Sequence, residues 1–549
     1  MAFCRDARWR AGRRWRLAGK EGWSVRKVPL LFLGAALMAQ AACAAGAETP
    51  TSMAPDVLVT DDDTLTRTHE ASDLLIDRDN ADTVYLSEVE LQTGDCRFYL
   101  STDRGTTWTA AETTIDSPLE EEAQADREPA PEASYTDCSL GPSGPQNVRT
   151  ELAQAPDGTL YYAFHAHDPA AGGTRSILLA RSRDDGRSWE TTVVHAGPKA
   201  TSKAEIENNF LPHLALDRDT PALIYIMWRR SFPRVEGAPN RPTRPWMAIS
   251  DDGGASFGEP FMMFDHNIGF DAPRPIVVDG KLFAFYRVAA PSDGEDEPTR
   301  LFAGVSTDRG KTWEETEIAS ALDASEPIPL YDRERDVFHV VWHDNRNGDL
   351  DVFFSQSKDG REWSEPARLN DDSPENRVGQ YYPQISLSPS GRIDVAWYDY
   401  RDDPNPPPAP EEDEPALDLG SNLGKIQSVY MTSSRDSGET WSENVRVNDV
   451  PIDRTIGTWN SQFFVVAPIS VASWDDRVLV SWSDTRNGTS DSSTQDIYTS
   501  AVTMHGAGAG QVASAVLVVL AAALVGAGLA LAIAVAVIRR SRRRPAGVA

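Results

Sequence analysis

The chain has 549 residues and formally carries 53 basic against 83 acidic side chains, a net charge of −30, with 40% hydrophobic and 9% aromatic residues. That much apolar material supports a large folded body and excludes a wholly disordered chain. The charge is unevenly placed: residues 28–510 hold 39 basic and 81 acidic groups, which argues against nucleic acid as a partner, because a phosphate backbone needs a basic face.

Residues 1–27 hold nine Arg or Lys, and an apolar run at 28–39 and the small residues Ala45-Gly46-Ala47 follow. This order predicts a signal peptide over 1–47. Cys43 after Gln40-Ala41-Ala42 makes lipidation the alternative. At the other end, 511–538 is 28 residues without a charge. A helix of that length, at about 1.5 Å per residue, exceeds the roughly 30 Å hydrocarbon core, so a transmembrane helix is expected there. Arg539, Arg540, Arg542, Arg543 and Arg544 follow it, which places the tail 539–549 in the cytoplasm and the body outside, exported and held at the cell membrane. Cutting of this end and covalent anchoring is the alternative. In the mature chain Cys96 and Cys138 remain, and two cysteines in an exported protein predict a disulfide. No zinc-type spacing occurs, and no metal or cofactor is expected.

Between these ends a short pattern recurs. It reads Ser101-Thr-Asp103-Arg-Gly105-Thr-Thr-Trp108, then Ser182-Arg-Asp184-Asp-Gly186-Arg-Ser-Trp189, and Ser250-Asp-Asp252-Gly-Gly254-Ala-Ser-Phe257. Ser306-Thr-Asp308-Arg-Gly310-Lys-Thr-Trp313, the shorter Ser357-Lys-Asp359-Gly360-Arg-Glu-Trp363 and Ser434-Arg-Asp436-Ser-Gly438-Glu-Thr-Trp441 complete six copies. The chemistry is that of a hairpin turn: Asp accepts backbone N–H bonds, Gly takes a positive φ, and the aromatic packs back between sheets. These aspartates therefore read as structural. The pattern resembles the Asp-box (BNR) repeat of the sialidase superfamily of β-propellers.

A second repeat is an alternating apolar strand, a short polar turn and another strand. It occurs at 74–87, 152–164, 214–228, 276–286, 328–342, 385–397 and 469–482, and period-two alternation with β-branched and aromatic residues predicts strands. Boxes follow the first six hairpins. The seventh lacks one, and Pro55-Asp-Val-Leu-Val-Thr60 resembles the post-box strand Asn444-Val-Arg-Val-Asn448. An N-terminal strand closing the last blade would remove an exposed sheet edge. The expectation is an all-β propeller over 55–505 with seven four-stranded blades, six being the alternative.

Strand parity sorts the loops. If the first strand of each blade runs from an upper to a lower face, the strand 1–2 turns and the boxes fall below. The strand 2–3 loops and the blade connections fall above. The upper segments 117–146, 231–244, 288–299 and 402–425 are long, and irregular loops on a rigid scaffold are where binding sites usually lie. Cys96 and Cys138 share this side. The acidic runs at 120–122 and 411–414 read as solvated, with structural calcium as the alternative.

The upper rim holds the candidate residues. Trp342-His-Asp344-Asn-Arg346, Trp397-Tyr-Asp399-Tyr-Arg401 and Trp482-Ser-Asp484-Thr-Arg486 end three second strands. Arg149 and Arg274 stand at first strands, with Glu326 and Tyr382 at corresponding places, so converging guanidiniums would suit a carboxylate. The resemblance implies that such an Arg cluster (Arg149, Arg274, with Arg346, Arg401 and Arg486 as further candidates beside Asp344, Asp399 and Asp484) holds a sugar carboxylate while Tyr382, assisted by Glu326, attacks. The family's Arg-Ile/Leu-Pro signature is absent; Arg274-Pro275-Ile276 is a scrambled likeness. The competing account of Trp-x-Asp-x-Arg is an ion pair bracing each loop. Three functions follow: a sialidase-like glycoside hydrolase, a non-catalytic adhesion propeller that binds a glycan, a glycoconjugate or a surface protein, or a structural element of the cell envelope.

Overall fold

The computed structural model describes residues 50–504 apart from 61–67, 91–94, 112–113, 116–135, 138–149, 169–173, 236–240, 290–296, 406–423, 457–468 and positions 375, 377, 491 and 493. The expected leader, the apolar stretch 511–538, the basic tail and both acidic runs lie outside the described residues, as do Arg149 and Cys138. Among the described residues no helix is long and apolar enough to cross a membrane.

Seven antiparallel sheets follow one another along the chain. Their inner strands are His69–Ile76, Glu151–Gln154, Asn208–Leu216, Arg274–Val278, Ile328–Asp332, Gln380–Leu387 and Ser470–Ser473. Each touches the next, and Ser470–Ser473 returns to His69–Ile76, so the sheets close into a ring of seven blades. Because neighbouring blades cover both faces of every sheet, the middle strands are buried on both sides, as Thr174–Ser182 and Val337–Asp344 are throughout. Phe283, Phe285, Leu301 and Val305 of the fourth blade pack on Phe338, Val340 and Trp342 of the fifth. The second blade gains an extra strand, Thr114–Ile115, parallel to Ser188–His195.

The outer strand of the last blade comes from the N-terminus. Pro50–Met53 and Val57–Leu58 both pair antiparallel with Asp496–Met504. Residues 50–53 thus join the closing strand, and a long third strand is kept from standing as an open edge.

In the first box, Ser101 Oγ donates to Asp103 Oδ1 at 2.8 Å and accepts the Gly105 amide at 2.8 Å. Asp103 also accepts the Thr107 amide at 2.8 Å and its hydroxyl at 2.7 Å. The same set recurs in the second, third, fourth and sixth boxes. These donors, the Ser256 and Thr312 hydroxyls foremost, hold Asp252 and Asp308 down to about 2. In five of the six boxes the glycine also sits hard against the preceding blade, Gly186 of the second box being the exception. At Gly438, with φ +83°, a Cβ would stand 2.4 Å from the Phe354 ring.

Two predictions test this scaffold. Gly438→Ala combines a left-handed backbone with overpacking on Phe354 and should cost about 2–4 kcal/mol. Gly280→Ala, at φ +70° with nothing within 4 Å of the added Cβ, should cost only the backbone share, about 1 kcal/mol. Equal losses in urea unfolding would contradict the inter-blade role.

The closing strand supplies the second. Asp56 Oδ2 accepts the Asp449 amide at 3.0 Å and Arg486 Nη2 at 2.8 Å, and Arg486 Nη1 reaches Asp449 Oδ1 at 3.0 Å. Burial first, then the neighbouring Asp449 carboxyl, push Asp56 up to about 7 against the pull of Arg486. The folded value lies above the unfolded one of about 4, so the bound proton stabilises fully below about pH 4 and that contribution is lost as pH rises through about 7. Hydrogen exchange at residues 50–58 should therefore accelerate between pH 5 and pH 8, by an amount equivalent to about 2–4 kcal/mol. Asp56→Asn should flatten that dependence.

Candidate functional site

The ion pairs show which loops share a rim. On one side, Arg104 of the first box meets Asp82 and Asp476 of strand 1–2 turns at 2.8 and 3.1 Å. The Gly253 amide of the third box bonds the Ala222 carbonyl of such a turn at 2.8 Å. On the other side, strand 2–3 segments meet blade connections: Arg230 with Glu207 at 3.3 Å, Arg287 with Asp271 at 2.9 Å and Arg401 with Asp371 at 2.8 Å. The described strand 2–3 ends and blade connections therefore lie opposite the box turns.

At this upper rim the inner strands depart from a regular ladder. Register shifts fall between Glu70 and Asp73, Phe210 and His213, and Tyr381 and Gln384. In the last two a proline, Pro212 or Pro383, follows a residue at positive φ, Leu211 at 55° and Tyr382 at 52°. An inner strand has one unpaired edge, so a proline without an N–H is tolerated there. A non-glycine residue at positive φ costs about 1–3 kcal/mol and is held only by its surroundings. Such bulges re-aim side chains beside functional sites.

Around the mouth, polar groups from consecutive blades form an arc. Glu151 opens the second inner strand, and its Oε2 lies 2.7 Å from His213 Nδ1 of the third blade and accepts the Leu214 amide at 3.3 Å. Arg274 opens the fourth and donates from Nη2 to Glu326 Oε1 of the fifth at 3.0 Å. Ser325, beside Glu326, accepts the His343 amide through Oγ at 3.0 Å, and His343 Nδ1 accepts the Tyr382 amide at 3.2 Å. That last bond requires Nδ1 to carry no proton. The Tyr382 ring meets His343 edge-on, 5.7 Å between centroids.

The arc is electrostatically divided. Desolvation pushes the Glu151 carboxyl up to about 7, although Arg274 and the Leu214 amide pull it down. Glu326 is nearly enclosed while Arg274 keeps 19% of its side-chain surface open. One carboxyl is thus poised near neutrality and a second sits in a charge-assisted bond, within the field of one guanidinium. Among the described residues no group of three or more His, Cys, Asp or Glu side chains could hold a metal ion.

Of the residues expected from sequence, Arg274 and Glu326 come together, and Tyr382 stands one blade further on, joined to Glu326's strand through His343. Arg149 and Cys138 lie outside the described residues; Cys96 is buried, with the Tyr162 hydroxyl 3.2 Å from its sulfur. Glu151 and His213 were missed. Glu151 opens its strand as Arg274 does, so the parity argument contained it; His213 follows a bulge that no local pattern announces.

The three Trp-x-Asp-x-Arg segments share one geometry. Asp344, Asp399 and Asp484 are fully buried. Each accepts the indole N–H of its own tryptophan, at 2.7, 2.9 and 2.9 Å. Each also pairs with Arg346, Arg401 or Arg486, at 2.6, 2.8 and 2.7 Å. Every guanidinium then lies over a third-strand aromatic, Phe353, Tyr430 or Tyr498, at 4.4, 4.3 and 4.2 Å. Asp399→Ala would leave the Trp397 indole and Arg401 without their shared acceptor, so it should destabilise the fold by about 3 kcal/mol. The check is chemical unfolding, together with retention of whatever ligand binding the wild type shows in the fraction that remains folded.

No profile of a known protein family matches the sequence, and no curated protein does. Among solved structures, the chain is similar to the Hadza microbial sialidase Hz136, with 16% identity and a TM-score of 0.40 over 64% of this chain. It spans 65% of that sialidase's length. It is also similar to the Penicillium chrysogenum α-L-arabinanase complexed with arabinobiose, with 14% identity, a TM-score of 0.42 and coverage of 63% of this chain and 94% of that one. A Trypanosoma rangeli sialidase mutant displaying trans-sialidase activity gives 13%, 0.38, 68% and 56% for the same quantities.

Proposed function

We propose that this chain is a glycan-directed propeller that cleaves a glycosidic bond at its upper mouth. The observations that support it are two polar pairs on the same rim, Glu151 with His213 and Arg274 with Glu326, with the Arg274 charge acting on a Glu151 carboxyl raised to about 7. A carboxyl that keeps its proton near neutral pH serves as a general acid, and a second carboxylate facing the same substrate stabilises positive charge at the anomeric carbon. In this account Glu151 passes its proton to the leaving oxygen as the C–O bond breaks. Glu326, oriented by Arg274, faces the sugar ring, and water supplies the hydroxyl that replaces the leaving group while its proton passes to the Glu151 carboxylate and restores the acid. Tyr382 borders the site from the sixth blade.

We also propose the setting: export through 1–47 and retention at the cell membrane through 511–538, with the tail 539–549 inside. Protease applied to intact cells should then release the propeller and spare the tail. A propeller that binds a glycan or surface protein without turnover is the second reading. The mutual pairing of Glu151 with His213 and of Arg274 with Glu326 favours it, since both carboxylates already have partners.

Fluorogenic aryl glycosides, a sialoside and an arabinofuranoside among them, decide between the two. The hydrolase reading expects turnover that falls as pH rises through about 7, where Glu151 loses its proton. It expects a loss of at least about a hundredfold in Glu151→Gln, and a comparable loss in Glu326→Gln. Turnover indifferent to both substitutions sinks the assignment; glycan-array binding without turnover by any substrate supports the binder.

A further inference from the structure

The connections that lead into Arg274 and Glu326 carry two of the large apolar side chains left in water. Phe270 is 68% exposed and Leu322 58% exposed. Single apolar residues on a surface need no explanation, but these two are fixed in place and joined. Ile268 and Ala272, on either side of Phe270, are each 1% exposed. Ala272 packs on Phe210 and Leu211 at the third-blade bulge. The Ile268 amide bonds the Thr243 carbonyl at 3.2 Å. Asp271, the next residue, pairs with Arg287 at 2.9 Å, and the same guanidinium donates to the Ala324 carbonyl at 3.0 Å. One arginine therefore ties the Phe270 segment to the Leu322 segment. The chain continues from these anchors to Arg274 and to Glu326, which meet at 3.0 Å.

A rigidly mounted, exposed aromatic beside polar groups is the arrangement that sugar rings fit. The C–H bonds on one face of a pyranose or furanose carry slight positive charge and meet the negative face of an aromatic ring, while hydroxyls reach the polar groups. Exposing Phe270 forgoes the stabilisation that burying its ring would bring. We propose that Phe270 and Leu322 form a second sugar subsite next to the Arg274–Glu326 pair. The preferred ligand is then at least a disaccharide, whose second ring lies on Phe270. This inference rests on the glycan reading of the same mouth.

The test uses the full-length chain, titrated calorimetrically with arabinobiose and with 3′-sialyllactose, and with arabinose and free sialic acid as single-ring controls. The expected result is that at least one of the two oligosaccharides binds. Phe270→Ala should then weaken it about tenfold more than it weakens the matching monosaccharide, and Phe270→Trp should restore the affinity. Leu322→Ala should show the same bias more weakly. Equal weakening of oligosaccharide and monosaccharide, or unchanged affinity for both in the two alanine variants, overturns the subsite while the mouth reading stands. Absence of binding by either oligosaccharide to the wild type, together with no turnover of the aryl glycosides, overturns both.

Discussion

The box glycine wedged against the blade before it is the contact on which the rest of this propeller depends. A serine hydroxyl and an aspartate close the turn, and the closure presents a residue without a Cβ to the neighbouring sheet. Gly105 meets Leu479, Gly254 meets Leu179, Gly310 meets Met247, Gly360 meets Phe283 and Gly438 meets Phe354, each across a blade boundary. In these five boxes the partner lies one blade back, so the turn fixes the step to the next blade there; Gly186 of the second box meets only Leu160 and Trp189 of its own blade. Repeating a fixed step is what turns seven similar sheets into a ring. The seventh blade, which has no box, is instead closed by the N-terminal strand and its Asp56–Asp449–Arg486 contacts.

That division explains what could be read from sequence. A turn is local: the hydrogen bonds that close the first box fall within residues 101–107, so Ser, Asp and Gly at fixed offsets announce it. Blade count and face follow, because the four main strands of each blade alternate direction. The Trp-x-Asp-x-Arg brace was equally legible as a repeat, being an i, i+2 contact on each side of the aspartate. The mouth was not. Glu151 and His213 lie 62 residues apart, and Arg274 and Glu326 lie 52 apart; their proximity is a property of ring closure that no window of sequence displays. The bulges at Leu211 and Tyr382 were hidden for a different reason, since Leu-Pro and Tyr-Pro are compatible with a plain strand end as well as with a left-handed residue.

The excess of acid over base acquires a structural meaning on the upper rim. Nearly every arginine described there bonds a carboxylate, and several bond more than one: Arg401 reaches Asp399 and Asp371, and Arg486 reaches Asp484, Asp56 and Asp449. With the guanidinium also stacked on an aromatic ring, these side chains are stiff parts of the wall rather than mobile ligands for a substrate carboxylate. Arg274 differs in degree. It donates to Glu326, keeps 19% of its side-chain surface open, and its charge acts on the ionisation of Glu151.

Repetition itself separates structural from chemical roles in such a ring. A device that stabilises a blade is useful in each blade and recurs, as the box does six times and the aspartate brace three times. A group that meets one substrate is useful at one azimuth. Glu151, His213, Arg274, Glu326 and Tyr382 come from five consecutive blades; the first inner strand instead begins with His69, paired with Glu88, and the last with Ser470. The asymmetry confines the arc to one side of the mouth, and the segments carrying Phe270 and Leu322 stand on that same side. A symmetric scaffold with a one-sided set of charged, strained and exposed residues has its function where the symmetry breaks, and here that is the sector from the second blade to the sixth.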